Sequence, residues 1–580
     1  MATLLRLTTS TVARNATTKC LSRKAASAHA AFARNVLASP LQSNTRGSRS
    51  LRSSVVAMGV KIASLPAPFL PEKFPAVTVE APYDGSWKGD LLCLGVYDDA
   101  IDGTTIKDEA LSKLDQTFGG ALSEIIADFE FKGAAGSSQC VRVGTAGAKY
   151  VALVGLGSAS KAAEKCKWGP SVFMQLGAAI AGLAKSNKAV TAAVHIVGGS
   201  ASATDVARGV TLGVLNGAYE STRFKAKPTL SKLESLAVCV GKSAEADAAV
   251  ANSTAFAKGC TMAKFLVEAP PNVCTPTYLS HCAQELAKEY PDVMTCKILE
   301  REDCEKMEMG SYLGVAACSD EPPKFIHLSY NPPGGSAKKT LVLIGKGLTF
   351  DSGGYNLKPA GSMIELMKFD MGGSAAVLGA ARTLADLKPA NVAVHFIVAS
   401  CENMIDGAGM RPGDILRAAN GKTIEVNNTD AEGRLTLADA LIYAERECKP
   451  DAVVDIATLT GAQFVALGNG MAAFYTKDDG MADDIRESAT HTGEKIWQMP
   501  LEDSYMEQLK SVVADMKNTG GRWGGSITAA LFLQEFISTD KIQWAHIDMA
   551  GPAWDEKVGG ATGYGAKTLA QWVMTTSEKA

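Results

Sequence analysis

The sequence predicts an α/β protein with two α/β domains joined by a helix, the C-terminal one a mainly parallel sheet covered by helices. Three observations carry this expectation. The chain has 580 residues, too many for one core when a domain takes roughly 100–200. Short apolar runs rich in β-branched residues alternate with helical stretches in both halves. A long segment with few helix breakers separates the halves.

In chain order, residues 1–57 hold nine Lys/Arg and no Asp/Glu, with abundant Ser, Thr and Ala. That is the composition of an organellar transit peptide, expected to lie outside the fold. Val55-Val56-Ala57 before Met58 resembles a plastid processing site, so chloroplast stroma is the expected address and mitochondrion the alternative. From 76 to 235, strand-like runs at Asp90–Val96, Tyr150–Gly155 and Ala192–Val197 alternate with helices, giving the N-terminal domain. Residues 244–267 read as the connecting helix, ending before Pro270-Pro271. The C-terminal domain, 268–578, carries strand signals at Thr340–Ile344, Val392–Ala399, Thr423–Val426, Ala452–Ile456 and Trp544–Ile547, with helices between them.

Composition excludes several functions. No run approaches the ~18 uninterrupted apolar residues of a membrane span, and Ser171–Ala184 reads as a buried helix. Removing the leader's nine basic residues leaves 49 Lys/Arg against 61 Asp/Glu, a net charge of −12. Such a body binds nucleic-acid phosphates poorly. The 13 Cys form no Cys-x-x-Cys pair, which fits a reducing compartment. Gly155-Leu-Gly157 follows a strand, but Ser160 stands where the dinucleotide fingerprint needs its third glycine, and a tight turn explains the pair better. Gly241-Lys242-Ser243 ends like a phosphate loop, yet Leu236 occupies the first-glycine position. His395 and His546 sit in apolar runs and read as hydrogen-bonded core histidines. No Gly-x-Ser-x-Gly elbow supports serine hydrolysis.

Between Lys346 and Arg434 the pattern changes. Lys346-Gly-Leu-Thr-Phe-Asp351-Ser-Gly-Gly, Lys358, Met367-Lys-Phe-Asp370-Met-Gly-Gly and Asn428-Thr-Asp430-Ala-Glu432-Gly-Arg434-Leu follow in order. Singly, each acid has a plain explanation: Thr429-x-x-Glu432 matches a capping box, and Asp351-Ser-Gly-Gly a turn. Asp351 and Asp430 each follow a predicted strand, where ligand-binding loops gather at the carboxyl edge of a parallel sheet. Four carboxylates aimed at one edge repel one another unless cations bind, and such oxygen ligands suit zinc, manganese or magnesium. Two metals sharing carboxylates and a water are a recurring solution.

The segment NTDAEGRL at Asn428–Leu435 resembles the signature of the leucyl aminopeptidase family, and GKGLTFDSGG, MKFDMGG and ENMIDGAGMRPGD resemble its accompanying blocks. The likeness is to plant and algal organellar members, strong from about Val267 to Trp572 and looser over Ala76–Lys232. It implies a two-metal aminopeptidase that hydrolyses the N-terminal, leucine-like residue of peptides. It further implies one metal on Asp351, Asp430 and Glu432, and another on Lys346, Asp351, Asp370 and Glu432. Lys358 then polarises the scissile carbonyl, and Arg434 holds a bicarbonate ion acting as general base. Met367, Thr458 and Gly461 match positions lining the pocket for the first side chain. Trp523 stands where the family usually has a small residue. A homohexamer with sites facing an interior cavity is implied as well. The competing readings are a non-catalytic scaffold of the same fold, a chaperone-like protein, and a two-metal phosphatase or nuclease, which would need more phosphate-binding cations.

Overall fold

The computed structural model describes residues 74–144, 147–162 and 169–580, so the predicted leader lies outside the described residues. Within them the chain builds two large sheets. The first takes β1 (Ala76–Glu80), β2 (Gly89–Tyr97), β3 (Ser138–Arg142), β4 (Ala148–Gly157), β5 (Thr191–Val197) and β6 (Ser235–Cys239) in the order β1-β6-β5-β2-β4-β3. All neighbours run parallel except β3 on β4. Leu91, Leu92, Leu94 and Val96 of the central β2 are fully buried, as a strand covered on both faces requires. Helix α1 (Val172–Ser186) starts at Ser171, whose hydroxyl accepts from Met174 N.

Of the Gly155-Leu-Gly157 pair, Gly157 turns the chain at the strand end with φ +70°, whereas Gly155 does not form the predicted tight turn. It lies inside β4, where a Cβ would fall 2.1 Å from Ala134 O, so glycine is required by close backbone approach. Gly241 does turn, at φ +99°, and Ser243 caps α2 (Ala244–Glu268) by accepting from Ala246 N. The phosphate-loop look-alike is thus a turn followed by a helix cap. Helix α2 contains the fully buried Ala257, Met262 and Leu266, and none of the described helices is long and apolar enough to cross a membrane.

The second sheet has eight strands: β7 (Met294–Leu299), β8 (Lys324–Tyr330), β9 (Lys339–Asp351), β10 (Val392–Asn403), β11 (Ala452–Ala457), β12 (Ala472–Tyr475), β13 (Ile496–Gln498) and β14 (Gln543–Asp548). Their order is β13-β12-β14-β11-β9-β10-β8-β7. The four central strands are parallel, whereas β12 and β8 pair antiparallel with β14 and β10. One predicted strand lies elsewhere: Thr423–Glu425 joins a small sheet with Ile415–Arg417 and Met516–Lys517. Asp430 therefore does not hang from the main sheet as expected. It arrives on a separate loop.

Strand β9 has a bulge. Leu348 pairs with Cys401 and Phe350 with Glu402, which leaves Thr349 as an extra residue. In a regular strand, Lys346 and Asp351 would point to opposite faces, because five residues is an odd separation. The inserted residue restores the parity and lets both side chains reach one site.

Candidate active site

Asp351, the last residue of β9, accepts at Oδ1 from Asn403 Nδ2 (2.8 Å) and from Gly353 N (2.9 Å). Asp370 follows a short helical turn (Ile364–Phe369) and precedes α3 (Gly372–Leu387). Its Oδ1 accepts from Thr458 Oγ1 at 2.8 Å. Glu432 is the N-cap of α4 (Gly433–Tyr443), but its side chain caps nothing. The capping-box reading of Thr429-x-x-Glu432 fails, since Thr429 Oγ1 instead donates to Gly353 O at 2.6 Å. Glu432 is left free to point into the site.

Asp351, Asp370 and Glu432 bring ligand oxygens within 4.8 Å of one another, all buried, a grouping that can hold a metal ion. Two lysines thread the cluster. Lys346 Nζ lies 2.7 Å from Asp370 Oδ2, 2.9 Å from Glu432 Oε1 and 3.1 Å from Thr458 O. Lys358 Nζ lies 2.7 Å from Asp351 Oδ2 and 2.5 Å from Asp430 Oδ1, which ties the outlying Asp430 to the group. Glycine makes room for Lys346: a Cβ on Gly433 would fall 2.4 Å from its Cε.

Four carboxylates and two ammonium groups leave the site with an excess of negative charge. Burial raises the Glu432 pKa, repulsion from Asp351 adds to it, and burial and Asp351 also raise Asp370 and Asp430. For Lys346, burial opposes the charge, but Asp370, Glu432 and Asp351 outweigh it and raise its pKa. Lys358 behaves in the same way beside Asp351. Glu432 Oε2 is buried with no hydrogen-bond partner. Asp370 Oδ2 and Asp430 Oδ1 are each met by a lysine ammonium, at 2.7 Å and 2.5 Å. The unpartnered Glu432 oxygen and the raised carboxyl pKa values together describe a pocket short of positive charge.

Arg434, one residue into α4, is buried. Its Nη1 donates to Asn518 O at 2.8 Å, its Nε has no partner, and burial pushes its pKa down to about 10. Thr458 follows β11 and, as above, bridges Lys346 and Asp370. Met367 lies in the turn before Asp370, half-buried, while Gly461 is exposed and opens a short helix (Gly461–Leu467), with nothing within 4 Å of a Cβ placed there. Trp523 is 79% exposed, with the Arg522 guanidinium over its ring.

Two family models match the chain: the catalytic domain of the cytosol aminopeptidase family over residues 261–570, which contains every residue of this cluster, and the family's N-terminal domain over residues 94–228. The chain belongs to the cytosol aminopeptidase family. Similar proteins include the chloroplastic leucine aminopeptidase 2 of Arabidopsis thaliana, 50% identical over 506 residues, covering 85% of this chain and 84% of the relative. The neutral leucine aminopeptidase, chloroplastic, of Solanum lycopersicum is 48% identical over 504 residues, covering 85% and 86%. A solved tomato leucine aminopeptidase bearing a Lys-to-Glu substitution superposes with a TM-score of 0.81 at 43% identity, covering 87% of this chain and 97% of that one. This cytosol aminopeptidase family member is accordingly an enzyme, an aminopeptidase that acts on peptides.

Several residues that hold the aminopeptidase site together escaped the sequence reading. Asn403 ends β10 and donates both to Asp351 Oδ1 and to Thr429 O (3.1 Å), fastening two ligand loops. Asn518 accepts from Asn427 N at 2.9 Å and donates to Asn428 O at 2.7 Å, so it orients the Asp430 loop as well as Arg434. Asp548 accepts from Leu459 N (3.1 Å) and Thr460 Oγ1 (2.6 Å) and so fixes the loop carrying Thr458. Asn403 left a signal inside the Glu402-Asn403-Met-Ile-Asp block, and Asp548 one inside Ala545-His-Ile-Asp548-Met-Ala-Gly, which resembles a further block of the family; Asn518 left none.

Proposed function

We propose that this aminopeptidase is metal-dependent and removes the N-terminal residue of peptides, preferring leucine-like side chains, at a centre of two divalent ions of zinc or manganese, with magnesium as a third candidate. The observation that carries the reading is the cluster itself: four carboxylates, three of them buried, converge with a buried lysine, and Glu432 Oε2 has no partner. Asp351, Asp430 and Glu432 would hold one ion, and Lys346, Asp351, Asp370 and Glu432 the other. Bound ions supply acidification of water and polarisation of the scissile carbonyl.

The protein's own groups do the rest. Lys358, kept cationic by Asp351 and Asp430, offers its ammonium to the carbonyl oxygen as negative charge develops there. Arg434 retains unpaired donor capacity at Nε and is suited to hold a bicarbonate ion, which would take the proton released by water. Thr458 fixes the orientation of Asp370 through its hydroxyl. Met367, Thr458 and Gly461 line the pocket for the first side chain; the bare Gly461 leaves width for a branched residue.

The basic, acid-free residues 1–57 support import into the plastid stroma, in keeping with chloroplastic relatives. Assembly as a homohexamer completes the proposal. Leucine amide and N-acetyl-leucine amide separate this reading from a generic amidase. The enzyme should hydrolyse the first and leave the second intact, because the free amine is part of recognition. Equal rates on both would refute the exopeptidase assignment.

A further inference from the structure

We propose that His327, His395 and Cys448 form a second metal site, distinct from the carboxylate centre, that takes a borderline-soft divalent cation of the zinc class. His395 pairs in register with Ser329 across β10 and β8, and His327 lies two residues along β8, so all three side chains share one face of the sheet. Cys448 reaches the same place from the end of a π-helical turn, Ala444–Cys448, that continues α4. On the other side of β10, His395 pairs with Val342, four residues before Lys346. At roughly 3.3 Å per residue that places it about 13 Å along the strand from the carboxylate centre.

The donor atoms are close to tetrahedral spacing. His327 Nε2 lies 2.9 Å from His395 Nδ1 and 3.8 Å from Cys448 Sγ, and the three ligand atoms fall within 4.8 Å of one another. Zinc bonds of about 2.0–2.1 Å to nitrogen and about 2.3 Å to sulfur give tetrahedral edges near 3.3 Å and 3.6 Å, so the two pairs that include His327 Nε2 need to move only a few tenths of an ångström. Ser329 Oγ, 3.1 Å from His395 Nδ1 and 3.2 Å from His327 Nε2, stands beside the fourth position, which a water can also fill.

Hydrogen bonding alone serves this cluster poorly. A neutral imidazole nitrogen has one lone pair or one proton, yet three groups crowd His327 Nε2. A cation on that side takes lone pairs from both rings and from sulfur at once. The opposite nitrogen is already occupied: His327 Nδ1 lies 2.9 Å from Tyr443 Oη, and donating there leaves Nε2 bare and aimed at the site. Both histidines are half-buried, and burial lowers their pKa values, His327 to about 4, so both are neutral ligands at physiological pH. Two features oppose binding. Lys297 lies across from His327 in register, though its side chain is exposed. The Cys448 thiol is pushed up to about 12 by burial and by Glu447, so binding releases the thiol proton to solvent as the metal–sulfur bond forms.

The test uses the full-length enzyme, stripped by chelator and reloaded with cobalt(II). The carboxylate centre has no sulfur ligand, so a thiolate-to-cobalt charge-transfer band in the near ultraviolet reports this site alone. The wild type should show the band and bind one more cobalt per chain than Cys448→Ser or His395→Gln. Both variants should keep leucine amide hydrolysis at saturating manganese. Because Cys448 gives up its thiol proton on binding, uptake of that extra cobalt should release a proton that Cys448→Ser does not release. Absence of the band from the wild type, persistence of it in Cys448→Ser, or equal proton release by the two proteins would overturn the proposal.

Discussion

Gly433→Ala isolates the placement of Lys346 from everything else. The added methyl would lie 2.4 Å from Lys346 Cε and 2.7 Å from its Cδ and Nζ. Ordinary carbon contacts begin near 3.5 Å, so the lysine end must retreat by about 1 Å. Its amine now sits 2.7 Å from Asp370 and 2.9 Å from Glu432, so a shift of that size takes it out of reach of both. Misplacement by about 1 Å costs on the order of 100-fold in rate, or about 2.7 kcal/mol of barrier. The fold should notice far less, because the obstructing atoms are the end of a flexible side chain and alanine favours the helix by ~1 kcal/mol over glycine. We expect kcat/KM for leucine amide to fall about 100-fold at saturating metal, with stability in urea changed by under ~2 kcal/mol. Activity within about threefold of wild type, or global unfolding of the variant, would refute the reasoning.

Further outcomes follow from the same geometry. Asp430→Asn and Glu432→Gln should abolish turnover and lower metal content by elemental analysis while the circular dichroism spectrum is kept; turnover within about tenfold of wild type at unchanged metal content would remove them as ligands. Lys346→Arg should be nearly as damaging as Lys346→Ala, since a guanidinium holds its proton and cannot coordinate; a fully metallated, active Lys346→Arg enzyme would exclude the ligand role. In the metal-free protein, Glu432 and Asp370 have pKa values raised above the unfolded ones, so the folded state binds more protons. Stability should therefore fall as pH rises from about 4.3, the ordinary glutamate value, into the neutral range, and saturating zinc should remove that slope in thermal melts. Asp439→Ala tests packing apart from chemistry. Its carboxylate accepts from Tyr312 N and Ala419 N, each at 2.8 Å, and losing both buried acceptors should cost roughly 2–5 kcal/mol in urea unfolding, with turnover of leucine amide at saturating metal unchanged.

The central strands β9, β10, β11 and β14 were legible because buried parallel strands are written as apolar runs. The flanking strands were not. In β7, Met294 and Leu299 are buried while Thr295 and Lys297 are exposed, a pattern too short and mixed to stand out. Thr423–Glu425 has the composition of a strand, but composition does not specify a partner, and the sheet it joins is fixed by pairing with Met516–Lys517 some ninety residues away. The candidate site was legible where acids cluster in sequence, at Asp351, Asp370, Asp430 and Glu432. What aligns them was hidden: the bulge at Thr349 leaves no compositional trace, and Asn403, Asn518 and Asp548 act through hydrogen bonds to distant loops. His546 meets the expectation of a hydrogen-bonded core histidine, with Nδ1 2.5 Å from Asp455 Oδ1, whereas His395 is half-buried and belongs to a polar cluster.

The central claim is that the Lys346, Asp351, Asp370, Asp430 and Glu432 cluster works as a two-metal centre. Stepwise titration of chelator-stripped Cys448→Ser enzyme with manganese, following leucine amide turnover and bound metal together, tests it most directly. That variant removes any contribution from the histidine–cysteine cluster. The account predicts no turnover in the stripped enzyme, and full activity only as the second equivalent per chain binds. Substantial turnover in metal-free enzyme, or activity complete at one equivalent, would contradict it.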